Sequence, residues 1–351
     1  MKIREATPDD NDELIQLQTK CPQGTTLIAS TVNTPDFFAR AKAYEIYKVY
    51  VAIDNNRIVG SGACAFRDVT LGGSIRRVAH TFQHFVHPEY RRRGVASQIH
   101  NSIEDYITQQ GAVLSYGYIL EENIPSMGFF ERQGWKRHHI LTMRGIPVFT
   151  EMSIESKAGI RLISSDDLNA VSELINKTWE GYELYEPVSA ETFAEQVNRT
   201  PAYSFDNIFV LEDHGEILAC LGFWDWSQVM QITVESLSFK MQVIGLILQF
   251  TNLFRPMPRR LKPGDILKQM VLTPIAYKHP ELLIVLIRYV NNQALVRGIE
   301  QIFLILEREH PLLGSTKGFI HIDNAMHLYY KPLQQNVSLS NNPLFVNGID
   351  L

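Results

Sequence analysis

The sequence predicts an α/β fold built twice, each copy a mixed β-sheet flanked by helices. Three observations point there. IREATPDDNDELIQL, from Ile3, returns as IRLISSDDLNAVSEL from Ile160, with a short strand, a hydroxyl cap, two aspartates and a helical pattern in the same order. VYVAIDNNRIVGSG (49–62) is echoed by IFVLEDHGEILACL (208–221), and both read strand, polar turn, strand. The offsets, 157 and 159 residues, are nearly equal. Finally, a strand at 76–87, a helix at 94–110 and a strand at 112–119 form a βαβ unit, so those two strands should run parallel. The expected division is a first domain at 1–150, a linker at 151–158, a second domain at 159–333 and a tail at 334–351.

Each element of the first copy has a local reason. A strand at 2–6 meets Thr7, Pro8 and Asp10, a cap followed by first-turn acids that starts a helix over 8–20; Ser164, Asp166 and Asp167 do the same in the second copy. A second helical stretch is expected around 35–44. Strands at 47–54 and 57–68 are followed by a turn at Leu71–Gly73 and the long strand 76–87. The helix at 94–110 carries Val95, Ile99, Ile103 and Tyr106/Ile107 on one stripe, the spacing of a helix lying on a sheet, and Gly111 closes it. After the strand at 112–119, a short helix at 125–133 is closed by Gly134, and an extended segment runs on from Trp135.

Composition narrows the function. At 45% hydrophobic and 20% charged residues the chain is globular in type. Cys21, Cys64 and Cys220 are too far apart for a disulfide framework or a paired zinc motif, which suits a reducing, cytoplasmic setting. The N-terminus turns acidic at once and lacks a signal-peptide core. Residues 1–150 hold 17 Lys+Arg against 15 Asp+Glu, leaving 16 against 23 in the remainder, so neither half has the basic balance of a nucleic-acid binder. The stretch Met241–Phe254 is apolar but too short to span a bilayer. It reads as a core or interface helix, with an acyl-chain or membrane-surface contact as the other reading. Arg255–Arg260 reads as a solvated loop, and Phe223–Trp226 as core packing rather than lining of an acceptor cleft.

Arg91–Arg93, then Gly94, lie where the long strand gives way to a helix. Backbone N–H groups there lack helical partners, the helix dipole adds positive charge, and a glycine lets the chain curl around an anion. Flanking guanidinium groups supply paired donors, and together these suit a diphosphate. Neither a Walker loop nor a G-x-G-x-x-G dinucleotide fingerprint is present.

The run Val86, Pro88, Arg91, Gly94, Ala96 resembles the acyl-CoA diphosphate signature of the GNAT superfamily of N-acetyltransferases. Asn123, Ser126, Phe130, Gly134 and Trp135 are similar to that superfamily's second helix motif, and IREATPDD to its usual opening. The resemblance covers residues 1–145. It implies two GNAT-like (acyl-CoA N-acyltransferase) domains, each with a mixed, splayed sheet. It also implies that acetyl-CoA serves as co-substrate and no metal is used. The expected CoA-binding residues are Phe85, Val86, Arg91, Arg92, Arg93, Gly94, Val95, Ala96, Ser97, Asn123, Ser126, Phe129 and Phe130. The pantetheine arm would pair with backbone near Phe85 and Val86, where an N–H could polarise the thioester carbonyl.

In several superfamily members the base lies six residues before the signature valine, which is His80 here; His84 is a second candidate, and a water chain or no dedicated base the remaining alternative. Strand alternation places His80, Phe82 and His84 on one face and His87 on the other. Histidine titrates near neutrality and suits the role. Many members carry a thiolate-protonating tyrosine four residues before the glycine of the short helix; this chain has Phe130, so that role falls to Tyr116, Tyr118 or solvent.

The second copy lacks the Arg-x-x-Gly turn after its likely strand 265–274 and retains only a trace of the second motif at Pro311–Phe319. It reads as a degenerate domain that shapes the acceptor cleft. The expected partners are acetyl-CoA and the amine of a small molecule or peptide, with no nucleic acid and no membrane, and a homodimer as a permitted assembly. The rival reading is a catalytically silent acyl-CoA-binding sensor.

Overall fold

The computed structural model describes residues 1–350. It begins with β1 (Lys2–Glu5), α1 (Asn11–Thr19), β2 (Leu27–Asn33), β3 (Tyr47–Asp54), β4 (Arg57–Leu71), β5 (Ser74–Val86), α2 (Val95–Gln109), β6 (Leu114–Leu120), α3 (Ile124–Arg132) and β7 (Lys136–Pro147). The second half follows with β8 (Gly159–Leu162), α4 (Leu168–Thr178), α5 (Ala190–Arg199), β9 (Ile208–Asp213), β10 (Glu216–Asp225), β11 (Met230–Leu237) and α6 (Phe239–Thr251). It closes with β12 (Ile266–Leu267), β13 (Gln269–Tyr277), α7 (Leu283–Val296), β14 (Gln301–Glu307) and β15 (Ile322–Pro332).

The internal repeat survives at atomic detail. In the first half, Arg4 forks onto the Asp10 carboxylate at 2.6 and 2.7 Å while the Thr7 amide donates to it at 2.7 Å. In the second, Arg161 holds Asp167 at 2.6 and 2.9 Å and the Ser164 amide donates at 2.7 Å. Both carboxyl groups are held below the usual range by the arginine, Asp10 down to about 2. The same cap thus starts the first helix of each half, preceded by a single 3-10 turn.

The two halves do not have separate sheets. One twelve-stranded sheet runs β1-β3-β4-β5-β6-β15-β7-β14-β13-β10-β9-β8. The last strand of each half crosses over: β15 pairs antiparallel with β6 from Met326↔Leu120 to Pro332↔Leu114, and β7 pairs with β14 from Gln301↔Pro147 to Glu307↔Leu141. Those two strands also pair with each other. The βαβ unit is present, with β5 and β6 parallel, and β13 and β14 repeat it. On α2, Val95, Ile99, Ile103 and Ile107 are buried as their spacing requires. Each such isoleucine contributes about 2 kcal/mol of burial.

Three expectations change. Residues 35–44 form turns and a short 3-10 segment, and the ordered element nearby is β2, which pairs with β11 and β12 in a separate small sheet. A Val-, Ile- and Thr-containing run prefers a pleated strand once a partner exists, and that partner lies some 200 residues away. The apolar stretch near 241–254 is helical, as α6, but lies outside the core, with Gly245 its one buried residue. The segment after β15 folds back into the protein: Leu344, Ile349 and Asp350 are buried, and Gly348 abuts Thr273 of β13. Phe223–Trp226 is core, as expected. No helix among the described residues is long and apolar enough to cross a membrane.

Because β6 and β14 each need a strand from the other half, a fragment of residues 1–150 should fail to form a stable monomer, whereas the whole chain unfolds in one transition. Circular dichroism on the fragment and a urea titration of the chain check this; a natively folded fragment contradicts it.

Candidate active site

The β5–β6 ladder has three rungs, Val78–Leu114, Ala79–Ser115 and His80–Tyr116, after which the strands part. At the parting Gly117 faces Thr81 so closely that a Cβ would sit 3.1 Å from the Thr81 carbonyl oxygen. Across β4 the register jumps between Ala63↔Phe82 and Ser61↔Phe85, leaving an extra residue in β5, and Gln83 takes φ 54°. This is a β-bulge. Farther along, the His87 amide donates to Val59 of β4. By alternation the Val86 backbone then faces the opening, where its carbonyl accepts from Cys21 Sγ and Arg91 Nε.

Beyond Val86 the chain makes a 3-10 turn at Pro88–Tyr90 and enters α2 through two left-handed residues, Arg92 (φ 61°) and Gly94 (φ 78°). Arg91, Arg92 and Arg93 are exposed. The amides of Val95, Ala96 and Ser97 have no acceptor among the described residues, so three donors and the positive end of a 15-residue helix point outward together. Gln133 Nε2 donates to Ser97 Oγ at 3.2 Å, which ties the end of α3 to this turn, and Asn123 Oδ1 caps α3 by accepting from the Ser126 amide.

At the other end of the opening, His80 is buried and stacked on Phe82 and Tyr116. Its Nδ1 lies 2.9 Å from Tyr44 Oη, and Tyr44 donates to Asp350 Oδ1 at 2.9 Å. Asp350 also accepts from Tyr116 Oη at 2.9 Å and from Arg67 at 2.8 Å. A carboxylate only accepts, and a phenol has one proton. Tyr44 therefore gives its proton to Asp350 and accepts from His80 Nδ1–H, which leaves the lone pair on Nε2. Burial lowers the His80 pKa to about 4, against the pull of Asp350, so the ring is neutral at pH 7. Arg67 stays charged despite its burial because Asp350 and Glu186 flank it.

Residues 2–137 match the model of the acetyltransferase (GNAT) domain family. The first half of the chain is thus similar to the GNAT acetyltransferase domain.

Solved structures agree in fold. N-myristoyltransferase of Saccharomyces cerevisiae, with bound myristoyl-CoA, superposes with TM-score 0.68 at 12% identity, covering 98% of this chain and 89% of that one. A GCN5-related N-acetyltransferase from Sphaerobacter thermophilus gives 0.58 at 12% identity, covering 96% and 97%. The glucosamine N-acetyltransferase region of a fungal multi-domain β-N-acetylglucosaminidase gives 0.62 at 13%, covering 94% of this chain and 38% of that one.

Within this frame the bulge at Gln83 separates the two histidines. His80 and Phe82 face Tyr44, whereas His84 turns to the opposite face, against α2. The expectation that they share a face fails because one extra residue inverts the alternation. There His84 packs edge-on to Phe130 and beside Gly62 and Ile99, and Phe130 also packs on Trp135 and His100. Burial takes the His84 pKa down to about 3, and its Nε2 has no partner among the described residues. The two tyrosines of β6 also differ. Tyr116 Oη is committed to Asp350, while the buried Tyr118 Oη has no hydrogen-bond partner among the described residues. Burial raises the pKa of both well above the usual phenol value.

Next to Tyr44 a cleft of about 310 Å³ opens between the halves. Glu45, Glu186 and Glu195 line it, as do Asp68, Arg67 and Arg199. Glu45 and Glu195 have no ion-pair partner among the described residues. Among those residues no group of three or more His, Cys, Asp or Glu side chains is placed to hold a metal. Sequence reasoning missed Tyr44, Arg67 and Asp350. Asp350 lies 270 residues from His80, and neither it nor Tyr44 sits in a motif.

The buried neutral histidines should make stability fall on acidification. Their folded pKa values lie below the unfolded value near 6.5, so the unfolded chain takes up more protons as the pH drops from about 6.5 towards 4. His84→Gln should reduce the loss between pH 7 and pH 5 by about 2 kcal/mol, read from urea unfolding at each pH; an unchanged pH dependence would show that His84 is not held neutral.

Proposed function

We propose that this protein transfers an acetyl group from acetyl-CoA directly to a primary amine of a small cationic molecule. The observation that carries this is the arrangement along β5: a neutral imidazole with a free Nε2 where the strands part, and a turn of unpartnered amides and guanidinium groups at the far end. Such a turn suits a diphosphate, and the gap between the two ends suits an extended pantetheine arm. In this reading Arg91, Arg92, Arg93 and Gly94 with the amides of Val95, Ala96 and Ser97 hold the diphosphate. Backbone at Phe85 and Val86 takes the arm, with the Val86 N–H directed at it. Asn123, Ser126, Phe129 and Phe130 form the wall of α3.

The chemistry follows from that placement. An ammonium entering past Tyr44 gives a proton to His80 Nε2, and the imidazolium that forms is stabilised through Tyr44 by Asp350. The amine nitrogen attacks the thioester carbonyl carbon, the C–S bond breaks, the departing thiolate takes a proton from Tyr118, and the second proton that the nitrogen sheds on becoming an amide restores the Tyr118 hydroxyl. The aromatic rings around His80, with centroids 5.1 to 6.0 Å away, favour a short acyl group. The unpaired carboxylates of Glu45 and Glu195 favour a second positive charge on the acceptor. Phe130, which cannot donate a proton, is the observation behind the alternative of a silent acyl-CoA sensor.

A thiol-release assay over an amine panel, run beside calorimetric titration with acetyl-CoA, tests the proposal. Turnover on at least one di- or polycationic amine supports it; acetyl-CoA binding with no turnover on any amine favours the sensor. His80→Ala should lower kcat by about a hundredfold or more and remove the acidic limb of the pH–rate profile, and a retained limb excludes His80 as base. Gly94→Asp, which sets a carboxylate at the anion turn, should raise KM for acetyl-CoA at least about tenfold with kcat less affected; an unchanged KM contradicts the turn's assignment.

A further inference from the structure

Helix α6 and the loop after it are not used by the site, and their exposure is unusual for their composition. Phe239 is 82% exposed, Phe250 65% and Phe254 78%, and Leu246, Ile247 and Leu253 are also open to solvent. With Val243, also exposed, these positions recur at intervals of three, four and seven along one stripe, so the helix turns its most apolar face away from the protein. The opposite side, at Gly245, is covered by the Arg260 stem from the loop that follows. Contiguous exposed apolar surface of this kind marks an interaction site.

The charges select the partner. From Phe239 to Gly264 there is no Asp or Glu, while Lys240, Arg255, Arg259, Arg260 and Lys262 are all cationic. Arg259 is held by Asp265 and Glu300 and Arg260 lies over Gly245 on the far side of the helix, which leaves Lys240, Arg255 and Lys262 with no ion pair among the described residues. Pairing this face with a second copy would bring two such sets of cations together without one acid in the segment. An anionic bilayer neutralises them while its acyl layer receives the phenylalanines and leucines, which is how an interfacial helix binds.

We infer that α6 and residues 252–262 form a docking surface for an anionic phospholipid bilayer, on which the protein rests peripherally. The helix is too short to span. This inference stands apart from the acyl-transfer reading.

Flotation of the full chain with vesicles tests it. The protein should partition onto phosphatidylcholine vesicles containing roughly a third phosphatidylglycerol about a hundredfold better than onto pure phosphatidylcholine, and high salt should erase the preference. L246E/F250E should abolish flotation with an unchanged circular dichroism melt, since both side chains are exposed. K240E/R255E should remove the preference for anionic lipid. Failure to float overturns the inference, as does equal binding to both vesicle types. A lipid-free dimer that L246E/F250E dissolves, with no vesicle binding, also overturns it and assigns the face to a second copy.

Discussion

The site depends on a parallel ladder that stops early. Pairing between β5 and β6 lasts only through His80–Tyr116, and an open strand edge at the centre of a sheet is costly unless its N–H and C=O groups find other partners. The divergence supplies a slot with backbone on one wall and aromatic side chains at its closed end. The bulge at Gln83 then sets which side chains see that end. His80 and Phe82 remain on the Tyr44 face, while His84 is turned to the α2 face and sealed behind Phe130.

The closed end is organised by a carboxylate from the far end of the chain. Asp350 is buried and accepts from two tyrosines and an arginine, so its charge is compensated by three donors. Arg67, equally buried, is flanked by Asp350 and Glu186. Removing one member would leave an uncompensated charge inside the protein, a loss of several kcal/mol in comparable buried pairs. The network also fixes the His80 tautomer, so the same contacts that join the two halves decide which imidazole nitrogen is free.

What could be read from the chain alone was local or strictly spaced. The Thr7–Asp10 and Ser164–Asp167 caps, the α2 stripe and the Arg91–Gly94 turn each depend on residues within a few positions of one another, and all appear where their spacing puts them. The bulge was not readable, because nothing about a glutamine announces a positive φ. Nor was the strand exchange: nothing within Ile322–Pro332 itself says which edge it joins. Tyr44, Arg67 and Asp350 converge only after both halves fold. For α6 apolarity alone left core and interface both open, and only its position outside the core excludes the first.

The crossed final strands also bear on how the chain comes to be folded during its synthesis. β6 waits for a neighbour that is not translated until residues 322–332 have left the ribosome, roughly two hundred positions later. Until then the first half carries an unsatisfied edge beside the opening between β5 and β6, an invitation to mispair with any strand nearby. The architecture makes the N-terminal half a client of its own downstream sequence, and competence arrives late, all at once, for both halves together.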